Sequence, residues 1–134
     1  MQTTFAAQVA DWEKKAVTAK TDVLHQSLRL LVDEATKPKS RGGNMPVVTG
    51  NLGNSVAVST LGPVTINWQT KKFRDPSDAV NNAIAGVELG QTTYVGFRTP
   101  YAHKIEVQAG FLRLAAQKWK QIVDEAVRIV KGGR

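Results

Sequence analysis

Met45-Pro46-Val47-Val48-Thr49-Gly50-Asn51-Leu52-Gly53-Asn54-Ser55 is where this chain changes its period. Upstream, apolar residues recur at three- and four-residue steps; from Ser55 onward they alternate with small or polar ones. Pro46 fixes an extended entry. Thr49 reads as a helix N-cap, and Gly50 gives room for a tight turn into a short helical turn around Leu52. A joint between a helix-coded segment and a strand-coded one decides the fold class.

Before the joint, Thr4 to about Ala35 reads as one long helix. Phe5, Val9, Trp12, Ala16 and Ala19 form an apolar stripe, and Val23, Leu24, Leu28, Leu31 and Ala35 continue it with a small change of face. No Pro or Gly interrupts it, and at ~1.5 Å per residue it spans on the order of 45 Å. That is long for a domain of this size, so part of the helix is expected to project or to pack on a neighbour. Lys37-Pro38 ends it, because the residue before proline disfavours helical backbone. A basic loop over 37–45 follows, carrying Lys37, Lys39 and Arg41 among Gly, Pro and Ser.

After the joint, Val56 and Val58 alternate, Leu61-Gly62-Pro63 makes a turn, and Val64, Ile66 and Trp68 alternate again, which spells a β-hairpin. Lys71, Lys72 and Arg74 form a second basic cluster. Asp75 reads as an N-cap with Pro76 at the first helical position and Asp78 three residues after the cap, giving a short helix to about Gly86 or Leu89 that Gly90 closes. Thr92 to Phe97 is a third strand, and Tyr101 to Val107 fits either a helical turn or a strand. From Phe111 to Val130 a wide apolar stripe at helical spacing (Leu112, Ala115, Trp119, Ile122, Ala126 among it) marks a last long helix, ended by Lys131-Gly132-Gly133. The order predicts an α+β fold: a long N-terminal helix and a long C-terminal helix packed on one face of a small, mainly antiparallel sheet, with a short middle helix. Residues 1–134 form a single domain without internal repeats. Trp12, Trp68 and Trp119 fall on apolar faces and are expected in the core.

Bulk properties agree with a folded domain. The chain has 134 residues, 42% of them hydrophobic, and no cysteine, which excludes disulfides and cysteine-based zinc or redox centres. No apolar run approaches the ~18 residues of a membrane span. Met-Gln-Thr-Thr-Phe lacks the basic start and apolar centre of a signal peptide. The formal charge of +7 favours contact with nucleic acid or acidic protein surfaces.

Catalytic patterns are missing. Neither Gly42-Gly43-Asn44 nor Thr49-Gly50-Asn51 supplies a phosphate-binding loop, and there is no Gly-x-Ser-x-Gly elbow or His-Glu-x-x-His. His103 and Glu106 are spaced to share a helix face, yet no further metal ligands accompany them. His25 sits at the edge of the first helix's stripe. Asp124 and Glu125 are adjacent and therefore diverge on a helix. The reading is no enzyme, no cofactor and no metal. The candidate interaction residues are Lys37, Lys39, Arg41, Lys71, Lys72 and Arg74, facing an acidic protein surface or DNA.

The ordered residues Pro46, Thr49, Gly50, Leu52 and Ser55, then Tyr101, Ala102 and Glu106, then Phe111, Leu112, Arg113 and Ala115, resemble a pattern of the neck or tail-completion proteins of long-tailed double-stranded DNA bacteriophages. The chain departs from that pattern at Val48, Gly53 and the short Val107–Gly110 link, and residues 71–90 read as an insertion. The resemblance implies a head–tail joining domain, a structural virion protein of the neck or tail end. It implies a homo-oligomeric ring, most simply a hexamer, contacting connector or adaptor and tail proteins. Assembly would take place in the bacterial host cytoplasm, with non-specific contact to DNA in the lumen and no membrane. A tail terminator capping the tail tube is the alternative within that class, and a basic DNA-binding module the alternative outside it.

Overall fold

A computed structural model describes residues 4–46 and 50–132 of the chain. The first helix, α1 (Phe5–Thr36), is a single rod of 32 residues. Thr4 caps it, its hydroxyl accepting from the Ala7 N–H at 3.1 Å, and Lys37 before Pro38 stops it. Only its C-terminal half is built into the body: Leu28, Val32 and Ala35 are buried, whereas every residue from Thr4 to Thr18 is exposed. The outer half therefore projects on the order of 20 Å.

The basic loop is ordered by a 3₁₀ turn, Lys39–Arg41, and by a backbone bridge between Pro38 and Met45. Next come α2 (Asn51–Asn54), β1 (Val56–Ser59), α3 (Ser77–Ala85), β2 (Tyr94–Phe97), α4 (Ala102–Ala109), α5 (Phe111–Gln117) and α6 (Trp119–Gly132). The fold is α+β with long helices at both ends, as the sequence pattern predicts. Thr49, the expected cap, lies outside the described residues; Gly50, at φ +79°, occupies the N-cap of α2.

Four expectations are corrected. The hairpin between Val56–Val58 and Val64–Trp68 does not form: β1 pairs antiparallel with β2 instead, Val56 opposite Phe97 and Val58 opposite Val95. Gly62-Pro63 is no two-residue hairpin turn, since Pro63 brings no N–H to a ladder. The pairing with β2 also sets Val56, Val58, Val95 and Phe97 on one core-facing side of the sheet. The Val64 segment crosses the other side, so close over Gly96 that a Cβ there would lie 2.9 Å from the Val64 Cβ.

Asp75 caps one residue further out than expected. Pro76 is the N-cap of α3, and the Asp75 carboxylate accepts from the Ser77 N–H and hydroxyl at 2.9 and 2.6 Å.

The tryptophans are not core residues. Trp68 is 76% and Trp12 61% exposed, and Trp119 is exposed as well. Trp12 lies on the exposed half of α1, Trp68 lies outside any strand, and Trp119 opens α6.

The last helix is broken at Lys118, which closes α5 through a bond to Ala115 and opens α6 through one from Ile122. The break lets Phe111 and Ala115 enter the main core while Ile122 and Ala126 are buried on the next segment. Lys118 Nζ lies 2.6 Å from Glu34 Oε1, near the end of α1. Only two residues of α1 remain beyond Glu34, so α6, which packs extensively on α1, must run back antiparallel to it. Ser27, seven residues before Glu34 on the same face, is buried. Phe5, Val9, Trp12 and Ala16 continue that face beyond the reach of the 14-residue α6.

Candidate functional site

The Met45–Asn54 joint is the hub of the molecule. Met45 is buried and closes the first basic loop by backbone bonds to its start: its N–H donates to Lys37 C=O at 3.2 Å, and its C=O accepts from Lys39 N–H at 3.0 Å. On the other side Asn51 grips the second basic segment. Its Oδ1 accepts from the Phe73 N–H at 2.7 Å, and its Nδ2 donates to Lys71 C=O and to the Tyr101 hydroxyl, each at 3.3 Å. Asn54 Nδ2 adds a bond to Phe73 C=O at 3.4 Å. Lys37, Lys39 and Arg41 thus flank one side of the joint, and Lys71, Lys72 and Arg74 the other. All six are exposed, and none forms an ion pair among the described residues.

A cleft of about 530 Å³ opens between the C-terminal end of α1, the joint and the start of α3. Val32, Met45, Leu52 and Val80 give it an apolar floor, and Arg29, Asp33, Asp75 and Tyr101 stand around its mouth. Partial burial raises the Asp33 carboxyl above its ordinary range. The hydrogen bonds from Ser77, first its hydroxyl and then its N–H, hold Asp75 below that range.

The remaining motif residues build structure. Ser55 is buried and its hydroxyl donates to Leu52 C=O at 2.7 Å. Ala102 is half-buried against the core. Gly110, at φ +65°, ends α4 and starts α5 in one residue, a backbone state that glycine adopts without strain. Glu106 bridges that corner: its carboxylate accepts from the Leu112 and Arg113 N–H groups, both at 2.9 Å, meeting the open donors and positive end of α5. Phe111 is fully buried, edge-on to Phe97 with ring centroids 4.9 Å apart. Glu106 is thereby committed to a helix terminus, while His103 is exposed. Among the described residues no group of three or more metal-ligating side chains comes together.

His25 is part-buried, its Nε2 2.7 Å from Val87 C=O, a distance that assigns the ring proton to Nε2 and ties α1 to the residue just past α3. This is the boundary role its place on the helix suggests. No helix among the described residues is long and apolar enough to cross a membrane.

Sequence reasoning passed over two features. Asn51 drew no notice because a single amide carries no pattern; its position immediately after Gly50 was the available signal. The exposure of Ile66 and Trp68 was hidden by their strand-like alternation. No protein-family model, curated protein or solved structure matches this chain.

Proposed function

We propose that the chain is a structural protein of the neck or tail end of a long-tailed bacteriophage, assembling into a ring, most simply of six copies, that joins the head connector to the tail. The observation that carries this reading is the presence of two unlike apolar surfaces that their own chain leaves open. One is the projecting stripe of α1, with Phe5 75% and Trp12 61% exposed; the other is the Leu61–Trp68 segment, with Leu61 fully exposed. Two different patches on one subunit suit head-to-tail contacts, and such contacts make a ring when the rotation closes. The ordered neck-protein motif supports the same class. A ring would also repeat the six exposed cations of the two basic segments around its rim or lumen, where they would face an acidic neighbour or DNA.

The test is mass photometry and negative-stain imaging of the purified chain over a wide concentration range, with mass spectrometry of purified virions. Closed rings and presence in virions are expected. A strict monomer that is absent from virions overturns the proposal. The tail terminator differs only in axial position, which labelled particles would reveal.

A second reading, a DNA-binding module, rests on the same exposed cations. It requires that the isolated subunit bind duplex DNA with a steep salt dependence. Undetectable binding at low salt removes it.

A further inference from the structure

The sheet of this protein is short of a strand, and the chain carries an unpaired segment that spells one. Arg98 N–H donates to Ser55 C=O at 3.0 Å, and those two residues continue the β1–β2 register. In an antiparallel ladder hydrogen-bonded pairs recur at every second residue, so Ala57–Gly96 and Ser59–Tyr94 are the bonded pairs of the sheet. The N–H and C=O groups of Val56 and Val58 must then point away from β2. Among the described residues nothing bonds them. Val56 is nevertheless buried, and buried backbone groups are almost always paired.

A crevice of about 270 Å³ runs along this edge, lined by the consecutive residues Asn54 to Val58 and walled opposite by Phe73 to Pro76. Three of these, Val56, Ala57 and Val58, are consecutive residues of β1, so the strand presents its edge there, since a sheet face would offer only alternate ones.

The Val64–Trp68 segment has the complementary character. Its sequence alternates as a strand, and one backbone bond, Asn67 N–H to Arg98 C=O at 2.8 Å, ties it to its own chain. The backbone groups of Ile66 and Trp68 bond to nothing among the described residues, and both side chains are exposed. Open groups at Val56 and Val58, and open groups at Ile66 and Trp68, have the same two-residue spacing.

We infer that the Val64–Trp68 segment of a second copy of this chain adds as a strand along the free edge of β1, its backbone entering the crevice while its Ile66 and Trp68 side chains stay outside it. A two-stranded sheet is marginal alone, and a third strand satisfies the open edge. Donor and acceptor are different surfaces of the same molecule, so the exchange runs head to tail. The inference rests on the ring proposal and supplies one of its contacts.

The experiment is sedimentation velocity on the full chain and three variants: Val58→Pro, Val95→Pro and Trp68→Ala. Val58 and Val95 both carry outward N–H groups, on opposite edges, so proline at either spares the β1–β2 ladder. Val58→Pro and Trp68→Ala should each raise the concentration needed for assembly by about ten-fold or more, while Val95→Pro leaves it unchanged. With Val56 and Val58 bonded to Trp68 and Ile66 in an antiparallel pairing, Ser59 lies directly opposite Thr65; because the chain has no cysteine, mixing the single variants Ser59→Cys and Thr65→Cys should give a mixed disulfide in excess over either homodimer.

Assembly of folded Val58→Pro and Trp68→Ala at parental concentrations, with no mixed disulfide, overturns the strand exchange and leaves the ring standing on α1. A parent chain that stays monomeric removes both. Trp68 is largely exposed, so its variant remains decisive even if Val58→Pro fails to fold.

Discussion

Glu106 shows how a charged residue that looks functional in a motif is spent on architecture. At Gly110 the chain turns from α4 into α5, leaving the first N–H groups of α5 without helical acceptors. The carboxylate takes two of them, at Leu112 and Arg113. Glu106→Ala should cost about 1–2 kcal/mol of unfolding free energy in urea titrations, as the loss of a helix-capping side chain does; Glu106→Gln should recover part of it. Asp33 acts in the opposite sense. Its carboxyl is raised by burial above 3.8, so the folded state holds the proton more tightly than the unfolded chain. That contribution favours folding below the unfolded pKa and is lost as pH rises through the folded one. Asp33→Asn should therefore melt above the parent at neutral pH, with the difference closing as the pH is lowered toward about 4. A difference that grows on acidification would refute the burial of a charged Asp33 as the cause.

The elements were legible where their signals are local. The long α1 and the α3 helix follow from periodicity and from the Asp75-Pro76 start, and the end of α1 follows from Lys37-Pro38. Sheet pairing was not legible, because alternation in Val64–Trp68 says that a segment can be a strand and nothing about where its partner lies. The break at Lys118 was equally hidden: Phe111 to Val130 keeps one helical period, and only the need to reach two different surfaces divides it. Of the candidate site, the basic segments were readable as charge. Their convergence on the Met45–Asn54 joint depends on Asn51, whose contacts at 20 to 50 residues' separation leave no mark on the sequence.

Two substitutions probe how the elements pack. Phe111→Ala removes the aromatic side chain on which α5 enters the core and should cost about 3–5 kcal/mol in denaturant unfolding. Gly96→Ala puts a methyl group against Val64; it should cost about 1–3 kcal/mol and speed amide exchange in the segment that crosses the sheet.

As a whole the molecule is a body with an arm. The body holds one core, drawn from α1, α2, α3, α5, both strands, Met45 and Val87. The arm, Thr4 to Thr18, is capped and carries the Asp11–Lys15 ion pair at 3.1 Å, and every one of its residues is exposed. The double variant Phe5→Ala, Trp12→Ala should leave the monomer's unfolding free energy within about 0.5 kcal/mol of the parent, and should weaken self-association in the same sedimentation experiment. A large loss of monomer stability would mean that the arm folds back on the body. Since α1 continues without a break from the tip to buried Ser27, it behaves as a lever with its fulcrum in the core. Over the roughly 33 Å from Phe5 to Ser27, a tip displacement of about 2 Å corresponds to a tilt of only about 3–4°. Whatever grips the arm is thus connected by a stiff mechanical link to the packing beneath α6, and engagement at the tip should be readable as altered amide protection around Ser27, far from the contact itself.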